Sequence, residues 1–273
     1  PSEWFYFGEG NEKQAEELFK KFVFKDYSQI QSPAQGTQYQ LREEQADAVK
    51  RTLAYLKSGK EPTDFLWNAK PRFGKTLATY DFVRKGGFRH ILIVTNRPAI
   101  ANSWYDDFVK FIKWQETDMY FISESDSLKG SGALSRSEFQ KILKSNKAEH
   151  HTFKQIAFVS LQDLKGSISF GGGIEKLEWV AGIKWDLLVV DEAHEGVDTT
   201  KTDWAFSRII RNFTLYMSGT PFKAIANSKF SAEQIFNWSY ADEQEAKKNW
   251  DYDKGSNPYD PLPQLNMFTF QLS

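Results

Sequence analysis

The sequence predicts an α/β fold, a parallel β-sheet flanked by helices. Two observations carry that prediction. Apolar, often β-branched or aromatic runs recur at residues 65–67, 90–95, 119–122, 156–161, 186–190 and 213–217. Each is short, near-continuous and bounded by turn residues, the pattern of strands buried on both faces. Helical patterns separate several of them, over residues 75–85, 98–111, 137–145 and 203–210. Strand–helix alternation builds a parallel sheet covered by helices.

Taken in order, residues 11–24 read as an amphipathic helix, and residues 28–38 as a polar linker carrying Pro33 and Gly36. A second helix spans residues 42–57 and is stopped by Ser58-Gly59. Residues 124–152 are mostly polar around Gly130-Ser131-Gly132 and predict an insertion holding one short helix. From residue 228 the pattern weakens. Trp238, Tyr240, Trp250, Tyr252 and Tyr259 lie there among charged and turn residues, as in a connector that needs a partner surface. Residues 265–271 alternate like a strand that begins something new. The predicted division is therefore 1–38, 39–227 and 228–273.

Composition sets bounds. With 273 residues, 40% of them hydrophobic and 16% aromatic, a sizeable core is available. The net charge of −1 gives no global attraction for nucleic acid, so such binding has to come from local patches. There is no run of about 20 apolar residues to cross a membrane. The start, Pro1-Ser2-Glu3-Trp4, lacks the basic and apolar regions of a signal peptide, and the missing Met points to processing or to a piece of a longer chain. Cysteine is absent, which excludes disulfides and thiolate zinc sites. A cytoplasmic location is the expectation.

Three segments carry chemistry, and each ends a predicted strand. The first is Asn68-Ala69-Lys70-Pro71-Arg72-Phe73-Gly74-Lys75-Thr76-Leu77, between the strand at 65–67 and the helix at 75–85. Gly74 lets backbone approach a phosphate, and amides at a helix start point at the anion. Lys75 reaches β- and γ-phosphates in such a loop, and the Thr76 hydroxyl ligates Mg2+. The second is Leu187-Leu188-Val189-Val190-Asp191-Glu192-Ala193-His194, where a buried strand ends in two carboxylates. Ligands bind at that end of parallel strands. Asp191 fits as a Mg2+ holder, Glu192 as the group that orients and deprotonates an attacking water, and His194 as a link to the next motif. The third is Met217-Ser218-Gly219-Thr220-Pro221-Phe222, whose Ser218 and Thr220 hydroxyls suit coupling to the acidic pair. The order of the three, more than any one alone, points to an ATP–Mg2+ site.

These motifs resemble those of superfamily 2 helicases and translocases of the DEAD/DEAH-box type. The Ser-Gly-Thr-Pro-Phe form is most similar to the motor subunits of type I and type III restriction enzymes. The resemblance covers roughly residues 40–225. It implies a P-loop NTPase of RecA-like fold, the first motor domain only, at 39–227. In these families Ala often replaces the first loop glycine, as Ala69 does here, but the usual Thr-Gly inside the loop is Pro71-Arg72. Leu41-Arg42-Glu43-Glu44-Gln45 is similar to the segment whose glutamine recognises adenine, which makes Gln45, with Arg42, a nucleotide-binding candidate. Asn96-Arg97 and Ser160-Leu161-Gln162 occupy the places of nucleic-acid-contacting motifs, so Asn96, Arg97, Ser160 and Gln162 are the candidates there. Trp104 reads as core.

The resemblance also implies what lies elsewhere. Such motors bind ATP between two RecA-like domains, and an arginine from the second assists hydrolysis. No arginine follows Arg211. The expectation is a chain that lacks the second motor domain, hydrolyses ATP weakly alone and acts on DNA, double-stranded DNA above all. In the full-length chain a nuclease domain, and beyond it modification or specificity subunits, are its implied partners. An RNA helicase, a DNA repair or remodelling motor, and a nucleotide-binding switch with little turnover remain open alternatives.

Overall fold

Strand–helix alternation becomes a seven-stranded sheet in the structure, a computed structural model that describes residues 36–145, 153–191, 200–219 and 230–262. In chain order the elements are α1 (Glu43–Ser58), β1 (Asp64–Ala69), α2 (Lys75–Gly86), β2 (His90–Thr95), α3 (Ala101–Asp107), β3 (Met119–Ser123), α4 (Arg136–Ser145), β4 (Lys154–Ser160), α5 (Leu161–Gly166), α6 (Glu178–Ala181), β5 (Trp185–Asp191), α7 (Thr200–Ser207), β6 (Arg211–Ser218), β7 (Ile235–Trp238) and α8 (Tyr240–Lys248). The strands lie in the order β3-β4-β2-β5-β6-β1-β7. Every neighbouring pair is parallel.

Alternate residues of a strand face opposite sides of its sheet, and the core divides accordingly. Phe65, Trp67, Ile91, Ile93, Leu187, Val189, Leu215 and Met217 pack with residues of α1, α2 and α3. Leu66, Leu92, Val94, Leu188 and Val190 pack with Leu161 and Leu164 of α5, Val180 of α6 and Phe206 of α7. The sheet is thus buried on both faces, which is why its strands read as continuous apolar runs.

Two polar anchors set what matters for the site. The Trp67 indole N–H donates to Thr52 Oγ1 at 2.8 Å, and that hydroxyl donates to the Ala48 carbonyl at 2.7 Å, both buried. They fix α1, which carries Arg42 and Gln45 at its start, over β1, which leads into the phosphate loop. Asp186 accepts the backbone N–H groups of Arg89 and His90 at 2.8 and 2.9 Å, which locks the start of β2 to β5.

Several expectations shift. The helix predicted at 203–210 lies at Thr200–Ser207, because Ile210 already offers its carbonyl to the Trp185 N–H as β6 begins. The helix predicted at 98–111 opens with a 3-10 turn at Pro98–Ile100 and ends in a π-helical turn at Phe108–Ile112. Leu161 leaves the predicted strand because Ser160 caps α5. In the polar insertion the short helix is α4, joined by a 3-10 turn at Asp126–Leu128, and Leu134 pairs with Ile122 on the sheet edge.

A further difference lies within residues 228–273, predicted as a connector that needs a partner surface, of which 230–262 are described. Residues 235–238 are β7, paired with β1 from Leu66↔Ile235 to Ala69↔Trp238. Its partner surface is this domain itself. The predicted helix at 11–24 and strand at 265–271 lie outside the described residues.

Candidate nucleotide site

The phosphate loop is built by backbone geometry. Lys70-Pro71-Arg72-Phe73 form a β-turn closed by the Phe73 N–H to the Lys70 carbonyl at 3.3 Å. Pro71 suits the second position of such a turn. Arg72 has φ +65°, the left-handed region that glycine occupies freely and an L side chain does not. The resembling families usually have glycine at that position, and here an arginine takes the left-handed backbone. Gly74 has φ +84°, and a Cβ on it would lie 2.3 Å from Gln45 Nε2. A side chain there would be strained in its backbone and would have to displace the Gln45 amide.

Phe73 anchors the loop from below. Its ring is fully buried and meets Phe236 of β7 at 5.8 Å between centroids. Its carbonyl accepts two donors, Arg42 and Gln45 Nε2, each at 2.7 Å. Gln45 is 4% exposed and also accepts the Arg42 backbone N–H at 2.8 Å. The glutamine therefore touches the loop itself. Lys75 Nζ donates to the Ala69 carbonyl at 3.0 Å. Lys75 and Thr76 open the first turn of α2, with Leu77 behind them, all three half-buried.

The acidic and hydroxyl motifs arrive at the same end of the sheet. Asp191 ends β5, is 7% exposed, and accepts the Trp104 indole N–H at 3.3 Å. In register it lies beside Met217, one residue before Ser218, and Ser218 lies beside Asn68 of β1. Thr79 of α2 donates to Met217 Sδ at 3.2 Å, so that helix sits over the end of β6. A Cβ on Gly219 would meet Pro71 Cδ at 3.2 Å, which puts the Ser218 turn against the phosphate loop. Neighbouring strands are about 4.8 Å apart, so the ends of β1 and β5, with β6 between, are about 10 Å apart. Glu192, His194 and Thr220 lie outside the described residues.

The residues present fit a magnesium nucleotide. The amino end of the 12-residue α2, opened by a glycine at φ +84°, has the form of a phosphate cradle. Asp191 and Thr76 supply hard oxygen donors. Among the described residues no three His, Cys, Asp or Glu side chains gather as a metal cage. Mg2+ takes one or two carboxylates and completes its shell with phosphate and water, and Asp191 is one carboxylate at this strand end.

The nucleic-acid candidates follow the neighbouring strand ends, with Thr95 of β2 in register beside Asp191 and Ser160 of β4 beside Thr95. Asn96 and Arg97 follow β2 and are exposed, as is Gln162 in α5. Ser160 is 6% exposed, and its hydroxyl serves α5, accepting the Asp163 N–H at 2.9 Å and donating to the Asp163 carboxylate at 2.7 Å. A cleft of about 620 Å³ opens beside it, lined in part by Arg136, Lys176 and Trp179.

Sequence reading missed the contribution of residues 239–259. Lys70, counted only as a loop residue, gives its ammonium to both oxygens of Glu243 at 2.6 Å. Tyr259 donates to Glu44 at 2.7 Å, and Arg42 lies over its ring at 5.9 Å from the centroid. Burial, then the Glu44 carboxylate, pushes the Tyr259 phenol well above its ordinary range, so it remains a donor. A signal for α8 was present: Ser239 and Asp242 form a reciprocal cap, with the Ser239 N–H on the Asp242 carboxylate at 2.7 Å and the Asp242 N–H on the Ser239 hydroxyl at 3.3 Å. Trp104 is core, as read, and also holds Asp191.

Residues 38–223, more than half of the chain, match the family described as "Type III restriction enzyme, res subunit". A curated relative from Mycoplasma pneumoniae, a putative type II restriction enzyme and methyltransferase (C-terminus), is 28% identical over 276 residues, covering 86% of this chain. The chain spans 36% of that relative's length. Among solved structures, a nuclease-deletion mutant of the type ISP restriction-modification enzyme LlaGI, in complex with a DNA substrate mimic, aligns with TM-score 0.51 at 15% identity, over 79% of this chain and 21% of that one. The UvsW helicase from bacteriophage T4 aligns with TM-score 0.45 at 16% identity, over 84% and 78% of the two chains. Its parallel sheet has the RecA-like fold, and the chain belongs to the family of the type III restriction enzyme res subunit.

Proposed function

We propose that this domain binds and hydrolyses ATP with Mg2+ and serves as the DNA motor part of a restriction-type enzyme. The observation that carries the reading is the arrival of Lys75, Asp191 and Ser218 at adjoining ends of β1, β5 and β6. In this reading Lys75 and the amides at the start of α2 hold the triphosphate, with Ala69, Lys70, Arg72, Phe73, Gly74 and Leu77 shaping the loop around it. Thr76 and Asp191 hold Mg2+, which supplies charge neutralisation on the phosphates when bound. Gln45 and Arg42 read the base. Glu192 orients and deprotonates the attacking water, His194 links it to the Ser218–Thr220 turn, and that turn passes the state of the site to the rest of the motor.

Asn96, Arg97 and Gln162 are the proposed nucleic-acid contacts. The Ser160 hydroxyl is committed to its helix cap, so its part is to hold the loop that presents Gln162. Double-stranded DNA is the proposed substrate, in keeping with the restriction-type relatives. A second motor domain, a nuclease domain and modification or specificity subunits belong to the proposal for the whole protein. This domain by itself is proposed to turn over ATP weakly, because such sites are completed by an arginine from a second motor domain.

ATP turnover of the full-length protein with double-stranded DNA, single-stranded DNA, RNA and no nucleic acid tests this. The reading requires stimulation by double-stranded DNA. In addition, Glu192→Gln is expected to keep ATP binding and lower turnover by at least about 10²-fold. Stimulation by RNA alone points to an RNA motor. ATP binding with turnover indifferent to Glu192→Gln points to a switch.

A further inference from the structure

Residues 239–259 return to the nucleotide edge at two separated places. At one, Lys70 of the phosphate loop is held from backbone and side chain together. Its N–H donates to the Trp238 carbonyl at 3.0 Å. Its ammonium meets both carboxylate oxygens of Glu243, whose side chain is 1% exposed, and lies 5.7 Å from the Tyr240 ring centroid. At the other, Tyr259 bonds Glu44, and Lys254 pairs with Glu43, in the segment that carries Gln45. Asn257 ties the two places together by donating to the Lys247 carbonyl at the end of α8 at 2.9 Å.

A fully buried carboxylate is costly unless paired and hydrogen-bonded. A packed apolar pair would hold α8 as well. The charged pair does something an apolar one does not: it fixes the direction of an ammonium that belongs to the loop. Left to itself, Lys70 sits five residues before Lys75 with a flexible four-carbon arm, within reach of the same anion. Bound to Glu243, its ammonium is committed to α8, and the loop backbone that it carries is fixed on the β7 side.

We propose that Glu243 is a positioning residue for nucleotide binding: through Lys70 it holds the phosphate loop in its binding shape, and α8 with the chain to Tyr259 is the strap that joins this hold to the adenine-reading segment. The proposal rests on the ATP reading above. Its action is on binding, where preorganisation lowers the cost of ordering the loop, and not on the reacting atoms.

The test is the ATP KM and kcat of the full-length protein, with nucleotide affinity and melting temperature measured alongside. Glu243→Gln and Lys70→Met are each expected to raise KM about tenfold with kcat within about threefold of the parent. Lys70→Arg, which keeps the charge pair, is expected to stay within about twofold. The double variant Lys70→Met/Glu243→Gln is expected to be no worse than the worse single, because both singles remove one interaction. It also keeps the test open if either single, with its orphaned partner, fails to fold. Unchanged KM in both singles, or a KM rise in the double equal to the product of the two, overturns the inference while leaving the ATP reading standing. A parent protein that binds no ATP overturns both.

Discussion

Along the carboxyl edge of the sheet the two sides differ in how far their polar side chains are exposed. At the β1–β7 end Arg42, Gln45, Lys70, Glu243, Glu44 and Tyr259 are bonded to one another and to the loop, mostly out of solvent. Beyond β2 and at the start of α5, Asn96, Arg97 and Gln162 are exposed, and the cleft lined by Arg136 and Lys176 lies open. The first arrangement suits a small ligand of fixed shape, for which the order is set before it arrives. The second suits a long charged polymer, which brings its own regular array of phosphates and needs only groups to meet them.

The sharpest way to break this contrast is at Phe73. Phe73→Ala removes a fully buried ring beneath the loop and is expected to lower stability by roughly 3–5 kcal/mol and to abolish nucleotide binding. Gln162→Ala, a comparable truncation at the other end, is expected to change stability by less than about 0.5 kcal/mol. Urea unfolding of both variants makes the comparison. Equal losses would show that the two ends are not differently built.

A smaller effect is expected at Trp104. Trp104→Phe keeps a ring edge-to-face with Tyr80 but removes the N–H given to the Asp191 carboxylate. A hydrogen bond to a charged group contributes about 1.5–3 kcal/mol, so the variant should lose that much and need more Mg2+ for half-maximal turnover. A Mg2+ titration unchanged from the parent would assign Trp104 to packing alone. At the open end, Arg97→Ala should leave stability near the parent and lower DNA affinity across sequences, with the slope of log affinity against log salt falling by about one. Filter binding at several salt concentrations reads it.

The smallest change has the opposite sign. Arg72 occupies a left-handed backbone that costs an L residue about 1–2 kcal/mol. Part of that is offset by the greater unfolded freedom of glycine. Arg72→Gly is therefore expected to stabilise the protein by about 0.5–1 kcal/mol in thermal or urea unfolding. Destabilisation would mean that the arginine side chain makes up for its backbone.

Reading from sequence succeeded where a local pattern carries the physics and failed where a distant partner does. The strands were legible because burial on both faces makes them continuous apolar runs. Gly74-Lys75-Thr76 was legible because a helix start after a strand has a fixed chemistry. Arg72 looked anomalous as a letter, and only its φ shows that the backbone is that of the glycine it replaces. Strand order could not be read, since nothing local says that β6 enters between β1 and β5. The strap was misjudged for the same reason: its aromatic residues looked as if they needed a foreign surface, and Tyr259 finds Glu44, 215 residues away in sequence. The motif at Ser160 predicts a contact but not that its hydroxyl also caps the next turn of the chain, which the structure shows.

The central claim is that Lys75 and Asp191 serve one magnesium–nucleotide pocket. Calorimetric titration of ATP–Mg2+ into the full-length parent, Lys75→Ala, Asp191→Asn and the double variant tests it directly. Two groups that hold one ligand are coupled, so the double variant is expected to lose markedly less affinity than the sum of the single losses in free energy. Strictly additive losses, or a Mg2+ requirement untouched by Asp191→Asn, would contradict the account.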